Sequence, residues 1–473
     1  MSDYIDTQFT KSILYQGAYR DMQNEMSPQF HSLTQIGQGD GVYISTYGCQ
    51  MNENDSERMI SILEMMNFRS VPSPEQASLI IINSCSIREK PVHKVHSEVG
   101  RYRKMKEANP RLRIGVAGCV AQQEKENLKA DIPLLDFVLG TDAIDRLPEV
   151  VARVRQGLPV ISARFDHQQP YHIETLIRNP GVSTFVNITK GCDNFCTFCV
   201  VPFTRGRERS RPLTHLLDDV KKLVDRGVKE VTLLGQNVNS YTSECGTNFA
   251  GLLEKLSLQT GIERIRFTTS HPKDFTDELI DVMKEQRQKV MEYIHLPVQC
   301  GNSDVLVRMH RGYSRDEYLE RVEAIFERMP DAVLSTDIIV GFPGETEAQF
   351  EDTMSLLRAV PYENIFAFAY SPRPMTKAAR FTDQIDDEVK SERLSRVLQF
   401  HREFSFADAK KYEGRTLKVL VEKFDAETGR LQGRSTQNKS VYFAGKPESI
   451  GHTLDVRIDD ARPLVLRGEQ VLQ

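Results

Sequence analysis

The sequence predicts an α/β protein in three parts: an N-terminal parallel α/β domain, a central partial (βα)6 barrel and a small C-terminal β-barrel. Two of the three observations behind this are runs of strand length alternating with helical stretches, once over residues 39–157 and again over 181–410. Such alternation builds parallel sheets. The third is that residues 411–473 carry short β-rich runs split by Gly and Pro turns, the pattern of a small barrel. At 473 residues the chain is long enough for about three domains, each with its own core.

Composition narrows the function. Hydrophobic content of 40% and charged content of 27% are globular values. With 61 basic and 66 acidic residues the net charge is -5, so no global field draws the chain to nucleic acid or membrane, and any RNA contact must come from local patches. No apolar run reaches the roughly 18 residues of a membrane span, and no charged start leads into an apolar segment. The expectation is a cytoplasmic protein with no membrane association. Eight cysteines, mostly at the ends of strand-like runs, fit metal or catalytic use better than a disulfide framework.

Residues 1–38 are polar, lack a sustained period and read as a loosely ordered extension. Gly37 to Gly41 is glycine-rich but precedes a strand instead of opening a helix, so it is no nucleotide loop. Val42 to Tyr47 reads as a strand ending at Gly48-Cys49, followed by a helix from about Asn54, its expected N-cap, through Met66. Ala77 to Asn83 ends at Ser84-Cys85 and precedes a helix over about Pro91 to Ala108. Leu112 to Ala117 ends at Gly118-Cys119, before a helix over Gln122 to Lys129; Phe137 to Leu139 is a fourth strand. Parallel sheets place function outside the carboxyl ends of their strands, where all three cysteines fall. Two readings stand: a ligand trio gathered by the fold, or small buried hydrophobes that happen to close strands.

Residues 158–180, with His167, Gln168, Gln169, Pro170 and Pro180, read as a linker. The second series starts at Phe185 to Thr189 and continues through Glu230 to Leu234, Arg264 to Thr268, Tyr293 to Pro297, Val333 to Val340 and Ile365 to Ala369. Helices lie between these strands, the clearest over Thr214 to Asp225 with Thr214 as cap and Gly227 as stop. Each strand ends in a polar or Gly-rich motif, and barrel enzymes keep their chemistry on that face. The first ends in a loop with Cys192, Cys196 and Cys199 at spacings x3 and x2. Thiolates select zinc or iron-sulfur centres, and a closed zinc site needs a fourth ligand that this loop lacks. Three thiolates hold three corners of a 4Fe-4S cube and leave one iron open; the alternative is three buried core thiols.

A helix over about Glu388 to Lys411 leads to the last domain. Its strands are expected at Leu417 to Val421, Leu431 to Ser435, Ser440 to Phe443, Thr453 to Ile458 and Leu464 to Leu466. Small barrels of this kind grip nucleic acid on one face, and Arg430, Arg434 and Lys439 fall within one hairpin, as an RNA contact or as a solvated face.

The segment Cys192 to Cys199, with Phe198 at the aromatic position, resembles the CxxxCxxC signature of the radical S-adenosylmethionine (SAM) enzymes. Together with three cysteines on N-terminal strand ends and a C-terminal β-barrel, it resembles the methylthiotransferase branch of that superfamily. Ser45 to Asn52 and Asn83 to Lys90 look most like its tRNA-2-methylthio-adenosine synthases. The resemblance implies two 4Fe-4S clusters and SAM as cofactors. Cys49, Cys85 and Cys119 would hold the auxiliary cluster, and Cys192, Cys196 and Cys199 the cluster that chelates SAM. It implies a TRAM domain at the C-terminus, a tRNA anticodon stem-loop as substrate, an electron-donor protein as partner and a monomeric enzyme. The implied reaction converts isopentenyl-adenosine beside the anticodon to its 2-methylthio derivative, using two SAM and sulfur from the auxiliary cluster. Carbon 2 of adenine offers no acidic proton and no leaving group, so a radical must remove its hydrogen. The alternatives are methylthiolation of threonylcarbamoyl-adenosine or of a ribosomal-protein aspartate, and, from another class, a non-catalytic RNA-binding iron-sulfur module.

Arg205, Arg207, Arg209 and Arg211 alternate, so an extended backbone would project them to one side, toward a SAM carboxylate or RNA phosphate. Phe198, Gln236, Asn237, Ser270, His271, Gln299 and Asp337 are further candidates for SAM or the base, and Glu345 resembles a SAM-contact region of the family. Cys300, where the family often has Ser, is read as no ligand, and Cys245 as incidental. A basic helix with Lys90, His93, Lys94, His96, Arg101, Arg103, Lys104 and Lys106 is either an anticodon-stem contact or a solvated face.

Overall fold

The computed structural model describes residues 36–86, 89–165 and 180–471, with the side chains of 89–93 left aside. Most of the N-terminal extension, the side chains of Lys90 and His93, and His167 to Pro170 therefore lie outside the described residues. The chain divides into two compact units. One takes in the described residues before Pro180 together with Lys190–Asp193 and Cys199–Arg211; the other takes in Pro180–Thr189, Asn194–Phe198 and the described residues from Pro212 onward.

In the first unit six strands form one parallel sheet: β1 (Gly41–Tyr47), β2 (Arg69–Ser70), β3 (Leu79–Ser84), β4 (Arg113–Gly118), β5 (Phe137–Leu139) and β6 (Val160–Ser162), in the order β2-β1-β3-β4-β5-β6. β3 is buried throughout, which is why Leu79 to Ile82 form an unbroken apolar run without alternation. One core cluster covers each face, one around Met59, Leu63, Phe137 and Val151, the other around Ile80, Val95, Val116 and Leu128. Two expectations change. The segment read as the start of a linker supplies β6, whose Val160 and Ile161 pair with Phe137 and Val138; three residues are too few to show a period. The helix expected from Asn54 begins at Gln50, with Cys49 as its N-cap.

In the second unit β7 (Ser183–Asn187), β8 (Glu230–Leu234) and β9 (Arg264–Phe267) form one parallel sheet, and β10 (Tyr293–His295), β11 (Val333–Val340) and β12 (Tyr362–Ala369) another. A parallel bridge between Ile265 and Val290 joins them into the partial barrel. The helix between β7 and β8 spans Leu213–Asp225 with Pro212 at its N-cap, ahead of the expected Thr214 cap. A helix over Asp387–Ala409 then leads to β13 (Thr416–Asp425), β14 (Arg430–Ser435), β15 (Ser440–Ala444), β16 (Thr453–Ala461) and β17 (Val465–Gln470), a closed barrel in the order β13-β14-β15-β17-β16. Its core holds Val419, Leu431, Val441, Phe443, Ile458 and Leu466.

The small barrel seals the amino-terminal end of the large one. Arg264, first residue of β9, donates to the carbonyls of Arg434 (2.9 Å) and Lys418 (3.3 Å), and Arg266 to those of Ser435 (2.6 Å) and Thr436 (3.1 Å). Glu292 accepts from Gln437 at 2.6 Å. The carboxyl ends of the large barrel's strands are thus left for chemistry.

Candidate functional site

Cys49, Cys85 and Cys119 each follow a strand of the six-stranded sheet. Gly48 (φ 146°) and Gly118 (φ 88°) precede two of them; a Cβ on Gly48 would lie 2.5 Å from Cys85 Cβ, and one on Gly118 2.3 Å from Asn83 Oδ1. Only glycine lets these chain ends approach so closely. Beneath them Asn83 Nδ2 donates to the Asn52 carbonyl and to Ser56 Oγ, both at 2.8 Å. Asn52 Nδ2 donates to Asn83 Oδ1 at 3.2 Å, and Ser56 Oγ meets Thr46 Oγ1 at 2.7 Å. This buried polar web ties β1, β3 and the first helix into one platform. Sequence reasoning misses its members, although Thr46, Asn52 and Asn83 stand in the very motifs that flank the cysteines.

Among the described residues no three His, Cys, Asp or Glu side chains are arranged for a single metal ion. Of the three thiols Cys85 is the one that acts on both others. Cys85 holds Cys49 down to about 6 and Cys119 to about 7, with the Arg205 cation adding to both effects, while the two neighbours and burial push Cys85 up. Thiolate character at this donor set is what a thiolate-ligated cluster needs, so the residues fit one.

Arg205 is 3% exposed and its Nη2 lies 2.8 Å from Asp55 Oδ2. Burial opposes its charge, but Asp55, Cys119 and Cys49 outweigh that and raise its pKa well above the ordinary value. Arg209 pairs with Asp142 at 2.5 Å, Lys190 with the same carboxylate at 2.6 Å, and Arg211 is buried. Arg207 is exposed and engages Asp193, Nε to Oδ1 at 2.7 Å and Nη2 to Oδ2 at 3.1 Å. The four arginines therefore do not project to one side, because Arg205 sits on the turn that ends the Val201–Thr204 helix, Gly206 takes φ 83°, and only Arg209–Ser210 is strand. A SAM carboxylate would have to displace Asp193 from Arg207.

In the cysteine loop, Cys192 N donates to the Gly206 carbonyl at 3.2 Å, and Cys199 Sγ accepts from Val201 N at 3.5 Å. In the second unit, buried Cys196 accepts from Arg311 Nη1 at 3.4 Å, and Arg311 also donates to Tyr313 Oη (3.0 Å) and the Pro297 carbonyl (3.1 Å). Thr197 is pinned on both sides, its N on the Met309 carbonyl and its own carbonyl on Ala378 N. Phe198 packs on the barrel core.

Among the described residues, the buried polar atoms without a partner at the barrel's strand ends include Asn237 Oδ1, Ser270 Oγ, His271 Nε2 and Tyr370 Oη. Such atoms are rare in native proteins and mark a place for a polar ligand. His271 Nδ1 accepts from Lys273 N at 3.4 Å, and burial, with Arg311 and Lys273 nearby, holds the ring down to about 2. The imidazole is neutral, so Nε2 carries its hydrogen as a donor. The other Asn237 group is occupied, Nδ2 on Asp274 at 2.6 Å. Gln299 takes a left-handed backbone (φ 73°) as its N and O bond Asp337 O and Ile339 N across to β11, and Gln236 is half-buried. Asp337 shares a barrel face with Ser335; His295 bridges them, Nδ1 to Ser335 Oγ at 3.0 Å and Nε2 to Asp337 at 3.6 Å. Glu345 is wholly buried, taken up by Gly341 N (2.6 Å) and Arg393 (2.9 Å). Cys300 is buried against Thr353, and Cys245 is exposed in its loop, neither in a cysteine cluster.

The predicted RNA trio is not one surface. Lys439 is buried on Glu363 at 2.8 Å, and Arg434, half-buried, donates to Asn438 and faces Glu422; only Arg430 is exposed. The register instead lines up Lys423, Gln432, Tyr442 and Arg467 across β13, β14, β15 and β17, with Arg430 two residues from Gln432 on the same face. The expected basic helix is two, Glu89–Arg101 and Arg103–Ala108; Lys94 on the first lies over the Tyr47 ring and Lys106 on the second pairs with Asp136, so two of these cations serve the first unit's own packing. No helix among the described residues is long and apolar enough to cross a membrane.

Residues 186–357 match the Radical SAM superfamily, residues 410–471 the TRAM domain and residues 41–140 the uncharacterized protein family UPF0004. A tRNA-2-methylthio-N(6)-dimethylallyladenosine synthase of Bdellovibrio bacteriovorus is 61% identical over 437 residues, covering 92% of this chain and 96% of that one. An Aquifex aeolicus protein of the same name is 43% identical, covering 90% and 98%. Among solved structures, the radical S-adenosylmethionine methyltransferase TsrM of Kitasatospora setae superimposes with a TM-score of 0.53 at 12% identity, over 72% of this chain and 75% of that one. That likeness bears on the fold alone.

Proposed function

The chain belongs to the tRNA-2-methylthio-N(6)-dimethylallyladenosine synthase family of radical SAM methylthiotransferases, and on that basis we propose how its own residues share the reaction. It is a tRNA-modifying transferase that places a methylthio group on isopentenyl-adenosine, with SAM and [4Fe-4S] clusters as cofactors. Nothing in the relatives favours threonylcarbamoyl-adenosine, a ribosomal aspartate or a non-catalytic module. When bound, the clusters and SAM supply the one-electron chemistry, the methyl group and the sulfur.

Cys192, Cys196 and Cys199 hold one cluster, and Arg311 donates to the Cys196 sulfur, which helps fix its position. Cys49, Cys85 and Cys119 hold the other. Asn237, Ser270, His271 and Tyr370 offer their unpartnered atoms to SAM, with Phe198, Gln236, Gln299 and Asp337 completing the mouth. Arg207, on Asp193, fastens the cysteine loop. The tRNA is gripped by the outward row Lys423, Gln432, Tyr442 and Arg467 with Arg430, an aromatic face between cations that suits stacked bases and phosphates. We place the enzyme in the cytoplasm as a monomer served by an electron-donor protein.

The observation that carries this division is the second thiol set. A radical initiator needs only the loop, whereas Cys49, Cys85 and Cys119 are a further trio presented at the ends of three strand-helix units of one sheet. The test is to incubate anaerobically reconstituted, sulfide-loaded protein with SAM, a reductant and an isopentenyl-adenosine stem-loop, then weigh the nucleosides. A gain of one methylthio group for hydrogen supports the reading; 5′-deoxyadenosine without modified nucleoside refutes the substrate.

A further inference from the structure

A buried cation from a distant stretch of chain reaches the two helices that begin at Cys49 and Cys119. Arg205 lies 150 positions beyond Asp55, yet the two side chains pair at 2.8 Å with only 4% and 9% exposure. Its placement is fixed on three sides. The short helix Val201–Thr204 packs on the helix that Cys119 opens, the Thr204 carbonyl accepts from Thr141 Oγ1 at 2.6 Å, and Arg205 N closes the turn on Val201 O at 2.7 Å. Asp55 projects from the helix that Cys49 caps. The guanidinium is thereby held on a carboxylate of the helix that Cys49 caps, next to a turn that packs on the helix that Cys119 opens.

We infer that Arg205 is the buried counter-cation of the auxiliary cluster, a positioning residue that favours its reduced, more negative state, with Asp55 orienting and partly offsetting that charge. This rests on the assignment of Cys49, Cys85 and Cys119 as the ligands. A cluster held by three thiolates carries excess negative charge, and a fixed cation in a water-poor site stabilises an added electron more than it could in solvent. Lys cannot reproduce a planar fork held by Asp55, but it keeps the charge.

The test uses full-length protein in which Cys192, Cys196 and Cys199 are Ala, so that one cluster remains, and reads the midpoint potential by EPR-monitored titration. Arg205→Gln should lower the reduced-to-oxidised ratio at fixed potential by about tenfold, 59 mV for one electron. Asp55→Asn should shift the potential the opposite way, and Arg205→Lys should restore most of the native value. A purely structural ion pair would move both neutral variants in one direction or neither, and either result overturns the inference. A parent protein that holds no cluster overturns the ligand assignment instead.

Discussion

Lys439 Nζ stands 2.8 Å from Glu363 Oε1 with both side chains almost wholly out of solvent, so a cation the sequence marks for RNA in fact bolts the small barrel to the large one. Removing one partner of a buried ion pair leaves the other uncompensated, at a cost of about 3–5 kcal/mol. Lys439→Met should therefore lower the denaturant midpoint markedly while leaving the salt dependence of tRNA binding unchanged. A variant of native stability that loses RNA affinity would contradict this.

The outward row on the small barrel should behave the other way. Tyr442→Ala should weaken stem-loop binding by about 1–3 kcal/mol, the range for a stacked base. Lys423→Gln and Arg467→Gln should each flatten the plot of log affinity against log salt by about one. Filter binding across a salt series measures both, with thermal stability as the control.

Gly48 is expected to be intolerant for a geometric reason. Its φ of 146° and the 2.5 Å that would separate an added Cβ from Cys85 Cβ leave no room for a side chain. Gly48→Ala should cost about half the bound iron, one cube of two, while SAM cleavage to 5′-deoxyadenosine persists. Iron analysis beside nucleoside chromatography reads both quantities.

His271 gives the fold a pH dependence of definite sign. Its folded pKa is depressed, to about 2 from 6.5, so its contribution is fully present above the unfolded value and is lost as pH falls. Below pH 6.5 the unfolded chain binds a proton that the folded chain refuses, and stability should drop by up to about 1.4 kcal/mol per pH unit from this group. His271→Asn should flatten that slope in anaerobic denaturant titrations between about pH 5 and 7, where this proton uptake sets in. An unchanged slope would show that the ring is not held neutral.

Much of this architecture is legible in the sequence because strands and strand ends are local features. The unbroken apolar run Leu79 to Ile82 announces a doubly covered strand, and cysteines that follow such runs announce a sheet edge. What escapes is lateral. Nothing near Lys439 foretells Glu363, nothing near Arg205 foretells Asp55, and the alternation of four arginines is broken at Gly206, whose left-handed φ of 83° turns the chain between the first two. The first helix starts ahead of its expected position because Asn54 is a good cap by type, whereas the cap in use is Cys49, with Asn52 N and Glu53 N donating to its carbonyl. β6 is hidden for a related reason: three residues gain strand character only from the neighbour they pair with.

The central claim is that two cysteine sets divide the reaction, and the most direct measurement follows both products in two triple variants. With Cys49, Cys85 and Cys119 changed to Ala, reduced protein should still cleave SAM to 5′-deoxyadenosine but yield no methylthio nucleoside. With Cys192, Cys196 and Cys199 changed to Ala, neither product should form. Methylthio nucleoside from the first variant, or SAM cleavage by the second, would contradict the division of labour between the two sites.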